Sequence, residues 1–330
     1  MTITQEFRKM LSLTSVSILS TSPVVATAYD RDFENNLAVF SEFANANKRV
    51  TILLLLGFEH ETPEMAEHLA AVIARFNDEA PNARAIVLCN CAGEISALSA
   101  LGVKTRLVHQ NSFLDERRYR PFVSSARPYD AAYIARLTPC KRHDLMPPEL
   151  APKLLLMGLG ASVYDSERAY ADMVRSRYAA AHVLPKFSGA RISEYLAMAK
   201  CGLVLSAREG ASFCSGEYFL CGLPVVDTPA LGGRSTLYPE EYVRFVDATT
   251  EAVAAGIAYW CEHSPDPWKV RAAWLDKTAQ HRAAYRELMR ELTGRTPRRI
   301  PHKLGLRTPH SGALYSLAIQ AYLFAKGMMA

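Results

Sequence analysis

Ser206 to Gly233 reads S-A-R-E-G-A-S-F-C-S-G-E-Y-F-L-C-G-L-P-V-V-D-T-P-A-L-G-G. Leu203 to Ser206 is an apolar run of strand length, and Glu209-Gly210 breaks it. Ser212 is placed to cap a short helix carrying Phe213, Glu217, Tyr218 and Leu220. Gly222 stops that helix before the strand Pro224 to Val226, and a Gly232-Gly233 loop follows. Strand, tight turn and helix in this order aim backbone N–H groups beyond the strand end, which suits a phosphate. Glu209 sits in the turn, and Glu217 lies about two helical turns later on the same side. Carboxylates repel phosphate, but they accept hydrogen bonds well from sugar and ribose hydroxyls. The chemistry points to a sugar nucleotide.

Composition agrees in kind. The 330 residues suffice for two domains of ordinary size, each with its own core. Apolar content of 49% with 22% charged residues is that of a soluble globular chain and excludes a disordered one. A net charge of +5 suits an anionic small substrate and is too small to argue for nucleic acid. The seven cysteines (89, 91, 140, 201, 214, 221 and 261) are odd in number and form no C-x-x-C pair. Neither a disulfide framework nor a zinc site is expected, and a cytoplasmic location is. Arg8 and Lys9 precede the apolar segment Met10 to Leu19, and Ala26-Thr27-Ala28 resembles a signal-peptidase site. Val16 to Ser20 reads better as a first strand, because Ser and Thr interrupt the apolar segment and cleavage would remove the strand. The longest apolar run, Ile52 to Phe58, is far too short to span a bilayer.

Outward from the quoted segment, strand and helix alternate in both directions. Upstream, strands are expected at Val16 to Thr21, Arg49 to Phe58, Ala85 to Cys89 and Thr105 to Val108. Helices are expected at Phe33 to Ala46, Pro63 to Asn77 and Cys91 to Leu101. Asp115 to Pro128, charged and twice broken by proline, reads as an interdomain passage or one long active-site loop. A second series has strands at Tyr129 to Leu137, Lys153 to Gly158 and His182 to Leu184, with helices at Ser166 to Ala180 and Ile192 to Cys201. Beyond Gly233 come a strand at Val243 to Val246 and helices at Thr250 to Cys261 and Trp268 to Leu292. This alternation implies parallel sheets with right-handed crossovers. Residues 295–307 hold five Arg or Lys with two prolines, and Ser311 to Met328 is an apolar helix. The pair reads as a linker and a helix packed on the first domain, or else as an oligomer contact or a peripheral membrane contact through 295–328 on the inner face of the membrane.

The turn at Glu209-Gly210, the E-x7-E spacing to Glu217, Cys221-Gly222-Leu223-Pro224-Val225-Val226 and Gly232-Gly233 together resemble the nucleotide-sugar domain of GT-B glycosyltransferases. The retaining family 4 enzymes are the nearest pattern. Ala135-Arg136-Leu137-Thr138-Pro139-Cys140-Lys141-Arg142-His143-Asp144-Leu145 is similar to the strand and loop that open that domain, with Ala135 where the family usually has Gly. Ile192 to Cys201 and the following Gly202 to Ser206 match the family's approach to E-x7-E. The resemblance covers residues 129–262 and reaches the first domain only as architecture. It implies an α/β fold of two Rossmann-like domains facing each other across a cleft. An unusually small N-terminal acceptor domain would span 1–127, the donor domain 128–300, and residues 301–330 would form a helix packing back on the first domain.

The roles implied by the resemblance are as follows. Arg136 and Lys141 neutralise the donor diphosphate, where charge grows as the glycosidic bond breaks. Glu209 contacts hydroxyls of the transferred sugar and completes the catalytic set. Glu217 accepts from the donor ribose. Gly210 and the backbone N–H groups of Ala211, Ser212 and Phe213 complete the phosphate site. Gly232 and Gly233 face the donor, and Arg234 beside them is a further anion ligand. No metal and no cofactor is implied beyond a nucleoside diphosphate sugar as donor, and the sugar moves with retention. A nucleotide-sugar epimerase or hydrolase of the same fold, or a non-catalytic binding module, are the alternatives; the full donor set favours transfer. The acceptor stays open.

The chain also departs from the family. After the first strand, Ser22-Pro23-Val24-Val25-Ala26-Thr27-Ala28 occupies the place of a Gly-rich loop without a single glycine. Where the family often has a His after a first-domain strand, Asn90 follows Ala85 to Cys89, and His109 follows the next strand. His109, Asn111, Asp115 and Glu116 form a polar set at a strand's carboxyl end and are the acceptor-side candidates. Asp30-Arg31-Asp32 has the D-x-D form of metal-dependent transferases, but reads as helix capping. Gly158-Leu159-Gly160 begins a dinucleotide fingerprint that Val163 leaves unfinished.

Overall fold

The computed structural model describes residues 10, 13, 16–122, 126–157, 167–184 and 191–297. They gather into two units. One runs to Phe113 and resumes at Arg282; the other is Leu114–His281.

The first unit is built on a five-stranded sheet in the order β1 (Ser17–Thr21), β2 (Val24–Tyr29), β3 (Val50–Leu55), β4 (Ala83–Cys89) and β5 (Thr105–Leu107). Only β1 is antiparallel; β2 to β5 are parallel and lie in chain order. Helices α1 (Asp30–Asn35), α2 (Leu37–Asn45), α3 (Pro63–Glu79) and α4 (Ala92–Ala100) make the crossovers. Right-handed crossovers between successive neighbours put every helix on one face. The core bears this out: Ile52, Leu54 and Val87 pack with Phe33, Phe40 and Phe76 of those helices. The alternate residues Leu53, Leu55 and Leu88 point the other way and pack on Tyr285, Leu288 and Met289. These belong to the end of a long helix, α9 (Pro267–Thr293). Strands buried on both faces read as unbroken apolar runs, which is why β3 stands out in the sequence.

The second unit has a six-stranded, wholly parallel sheet. Its strands are β6 (Tyr129–Ile134), β7 (Leu154–Met157), β8 (His182–Val183), β9 (Ala199–Val204), β10 (Val225–Asp227) and β11 (Val243–Phe245). Their spatial order is β8-β7-β6-β9-β10-β11. That is the doubly wound order, and its direction reverses between β6 and β9, the switch point beyond whose carboxyl ends α/β proteins place their ligands. Helices α5 (Arg168–Arg177), α6 (Ile192–Leu196), α7 (Phe213–Leu220) and α8 (Thr250–Glu262) connect the strands. Both units are thus Rossmann-like.

Four expectations are corrected. After the Ser22-Pro23 turn there is no loop: Val24–Tyr29 is strand β2, with Ala26 and Ala28 in one core and Val25 in the other. The helix expected to Cys201 stops at Leu196, because Ala199–Val204 is needed as a strand between β6 and β10. Residues 114–122 fall with the second unit rather than the first. Leu114 and Tyr119 enter its core beside Trp274, while the Arg271 guanidinium donates to the carbonyls of Glu116, Tyr119 and Leu220. Conversely, the end of the long helix from Arg282 to Thr293 falls with the first unit, whose sheet it covers. Gly158-Leu159-Gly160 and Ser311 to Met328 lie outside the described residues.

Candidate functional site

The loops that follow β6, β9 and β10 are stitched together by main-chain bonds. The Ala207 N–H donates to the Cys140 carbonyl at 2.8 Å, and Leu231 N–H to the Ala207 carbonyl at 2.9 Å. The Glu209 N–H returns to the Leu231 carbonyl, also at 2.9 Å. Arg142 reinforces this from the left-handed backbone region (φ 48°), donating to the Leu205, Ser206 and Pro229 carbonyls and to the Thr228 hydroxyl. The strand ends at the switch point are therefore held in fixed register.

Two predicted residues meet there. Lys141 Nζ lies 2.8 Å from Glu209 Oε1, with the two side chains 15% and 16% exposed. The second oxygen, Glu209 Oε2, is buried without a hydrogen-bond partner. A buried acceptor left unpaired costs about 1–3 kcal/mol, a penalty that an incoming donor group removes. Arg136, two residues past the end of β6, presents an exposed side chain. His143, beside Lys141, is buried, and burial followed by the Lys141 charge brings its imidazole down to about 4. It is neutral at physiological pH. Its ring packs against Tyr133 and Tyr170.

Helix α7 is set by tight packing. A Cβ at Gly202 would meet the Tyr218 ring at 2.3 Å, so glycine there lets the tyrosine lie across β9. The Tyr218 hydroxyl accepts from the Ile134 N–H at 2.7 Å and ties the helix to the end of β6. Gly222, at φ +82°, stops the helix as expected. Gly210, Ala211 and Ser212 are buried ahead of α7, and Phe213 opens it half-buried. Ser212 makes no cap bond; its hydroxyl pairs with Cys214 Sγ at 2.9 Å. Glu217 is 7% exposed, and the Tyr119 hydroxyl donates to its carboxylate. Burial, then that carboxylate, pushes the Tyr119 phenol well up, so it stays a donor.

Gly232, at φ 107°, turns the chain into a helical turn at Gly233–Leu237. Arg234 differs from the expectation. It is 1% exposed, pairs with Asp227 and donates to the Val204, Ser206 and Thr228 carbonyls. Its charge is spent holding the ends of β9 and β10.

The acceptor-side candidates are divided between the units. His109 and Asn111 are buried beyond β5 in the first, where the Asn111 N–H donates to His109 Nδ1 at 3.2 Å. Asp115 and Glu116 belong to the second; Asp115 caps its own turn by accepting from the Arg117 N–H at 2.9 Å. The first unit's strand ends carry other buried polar groups. Asp30 Oδ2 lies 3.3 Å from His60 Nε2, and Asp30 Oδ1 accepts from the Arg31 and Gly57 N–H groups. The aspartate of the D-x-D pattern is thus internally paired. Glu94, fully buried, accepts from the Asn90 N–H at 2.7 Å, and burial raises its carboxyl to about 7. His60 and Glu94 carry no spacing signal in the sequence, and Asp30 reads there as helix capping. Arg142 and His143 lie inside the quoted Lys141-Arg142-His143 run, where nothing in the sequence marks their burial or partners.

Among solved structures the chain is similar to sucrose-phosphate synthase from Thermosynechococcus elongatus, with 16% identity over 88% of this chain and 80% of that one (TM-score 0.56). HepE of Anabaena, solved with UDP, matches at 15% identity over 78% and 82% (TM-score 0.59). The pneumococcal O-GlcNAc transferase GtfA, solved with UDP and GlcNAc, matches at 13% over 77% and 54% (TM-score 0.56). The chain has the GT-B fold. No protein-family model and no curated protein sequence matches it. Within the GT-B frame, Lys141 and Glu209 stand at the switch point of the second Rossmann-like unit.

Proposed function

We propose that the protein is a glycosyltransferase that moves a sugar from a nucleoside diphosphate donor with retention and without a metal ion. The observation that carries the reading is Glu209, one oxygen on Lys141 and the other buried and unpaired at the switch point. A sugar hydroxyl donating to Oε2 would satisfy it. Lys141, held by Oε1, would keep its ammonium beside the leaving diphosphate, and Arg136 would add a second cation. Charge on that diphosphate grows as the glycosidic bond breaks, so cations fixed in advance favour the transition state over the ground state. The Ala211, Ser212 and Phe213 backbone, at the start of α7, would complete the phosphate site.

Glu217 would take the ribose hydroxyls. It already accepts from Tyr119, so the ribose would use the remaining lone pairs of a carboxylate whose orientation is set. No side-chain nucleophile is implied; the leaving phosphate would help deprotonate the acceptor hydroxyl as it attacks from the same face. UDP-sugars lead the donor panel, since HepE and GtfA were both solved with UDP. The test is a thermal-shift screen of UDP-, GDP- and ADP-sugars, in which a ligand at 100 times its Kd stabilises by about 2.7 kcal/mol. A stabilising sugar nucleotide whose effect Glu217→Ala removes supports the reading; no shift with any of them overturns it.

A further inference from the structure

The second unit carries a cavity of about 580 Å³ that is lined by none of Lys141, Glu209 and Glu217. It lies at the carboxyl ends of β10 and β11, the strands beyond β9 on the side away from the switch point. Asp227 and Phe245, paired in register as the last residues of the two strands, both line it. Its remaining walls include Thr228, Ser235, Asp247 and the small side chain of Ala252 at the start of α8.

Three features define what it would hold. First, Phe245 is 56% exposed, whereas Val243, two residues earlier on the same side of the strand, is 7% exposed. An aromatic ring left half in water at the lip of a cavity offers a flat apolar face, and burying it is favourable. Second, Arg234 lines the cavity, and its Nε–H is buried without an acceptor, while its two terminal nitrogens bond the Ser206, Val204 and Thr228 carbonyls and Asp227. It calls for an acceptor. Third, Asp247 lines the same space with an exposed carboxylate, which calls for a donor.

Among the lining side chains the Asp227–Arg234 pair is closed on itself, so the remaining charge is the Asp247 carboxylate, which disfavours an anion beside it. A cation would satisfy Asp247 and leave the Arg234 Nε–H unpaired. A hydroxyl both donates and accepts, and a ring of hydroxyl-bearing carbons also has an apolar C–H face to lay on an aromatic ring. We propose that this cavity is a binding site for a neutral saccharide, with its ring face on Phe245 and its hydroxyls shared between Asp247 and the Arg234 Nε–H. None of Lys141, Glu209 and Glu217 lines it, and its chemistry does not depend on the transferase reading.

The experiment uses the full chain without nucleotide on a panel of immobilised neutral gluco-, manno-, galacto- and N-acetylglucosamine oligosaccharides. The best binder is then titrated by calorimetry against wild type, Phe245→Ala, Asp247→Ala and Lys141→Ala. Phe245 and Asp247 are exposed, so these variants keep the fold, and unchanged melting temperatures check it. Binding weakened about tenfold or more by Phe245→Ala and by Asp247→Ala, and unaltered by Lys141→Ala, is the expected result. Failure of every neutral saccharide to bind overturns the proposal. So does binding that survives Phe245→Ala, or that Lys141→Ala abolishes. Sugar-nucleotide cleavage by Phe245→Ala, measured alongside, stays at the wild-type rate, so loss of this site and failure of the donor assignment give different outcomes.

Discussion

Lys141 and Glu209 are each half of one device. The ammonium is fixed by a carboxylate that keeps an oxygen in reserve, and both come from loops locked to each other through main-chain bonds. If the cation acts chiefly on the breaking bond, Lys141→Ala lowers kcat by about two decades or more while donor affinity falls much less. Glu217→Ala shows the opposite split: donor binding weakens by about 1–3 kcal/mol, read by calorimetry with the nucleoside diphosphate alone. Tyr119→Phe, which leaves Glu217 in place but removes a donor to it, weakens the same binding by less than Glu217→Ala does. Equal losses would mean that Tyr119 itself carries the contact.

At the scale of elements, the quoted segment was legible because its chemistry is local. A strand, a glycine turn and a helix with two carboxylates at fixed spacing announce themselves, and α7, β10 and the Gly222 stop stand where they were expected. The Lys141 loop was legible only by pattern, since nothing in its own residues says that Glu209 is its partner. The misreadings have physical causes. Val24 to Ala28 carries no glycine because it is a strand buried on both faces, where alternation gives no cue. Arg234 looked like an anion ligand because charge was visible and burial was not. The packing of α7 yields its own prediction. Gly202→Ala puts a methyl into the Tyr218 ring, so the protein loses about 1–3 kcal/mol of stability in chemical denaturation. Activity falls with it, because Tyr218 ties α7 to the end of β6.

For the molecule as a whole, Glu94 and His143 respond to pH in opposite senses. Glu94 in the first unit has its carboxyl raised from 4.5 to about 7, so folding favours the protonated form. Its contribution is complete below pH ~4.5 and is lost as pH rises to ~7, roughly 3 kcal/mol in all. His143 in the second unit is lowered from 6.5 to about 4, so folding favours the neutral form. Its contribution is complete above pH ~6.5 and is lost as pH falls to ~4, again roughly 3 kcal/mol. Thermal unfolding across this range, with Glu94→Gln flattening the alkaline loss, separates the two effects. The account stands or falls on whether the second unit handles a sugar nucleotide as a reacting donor. The direct measurement is nucleoside diphosphate release from UDP-, GDP- and ADP-sugars by wild type and Lys141→Ala under single-turnover conditions. Slow release by wild type from at least one sugar nucleotide, reduced by about a hundredfold in Lys141→Ala, is the predicted result. Release from none of them, or equal rates for the two proteins, would contradict it.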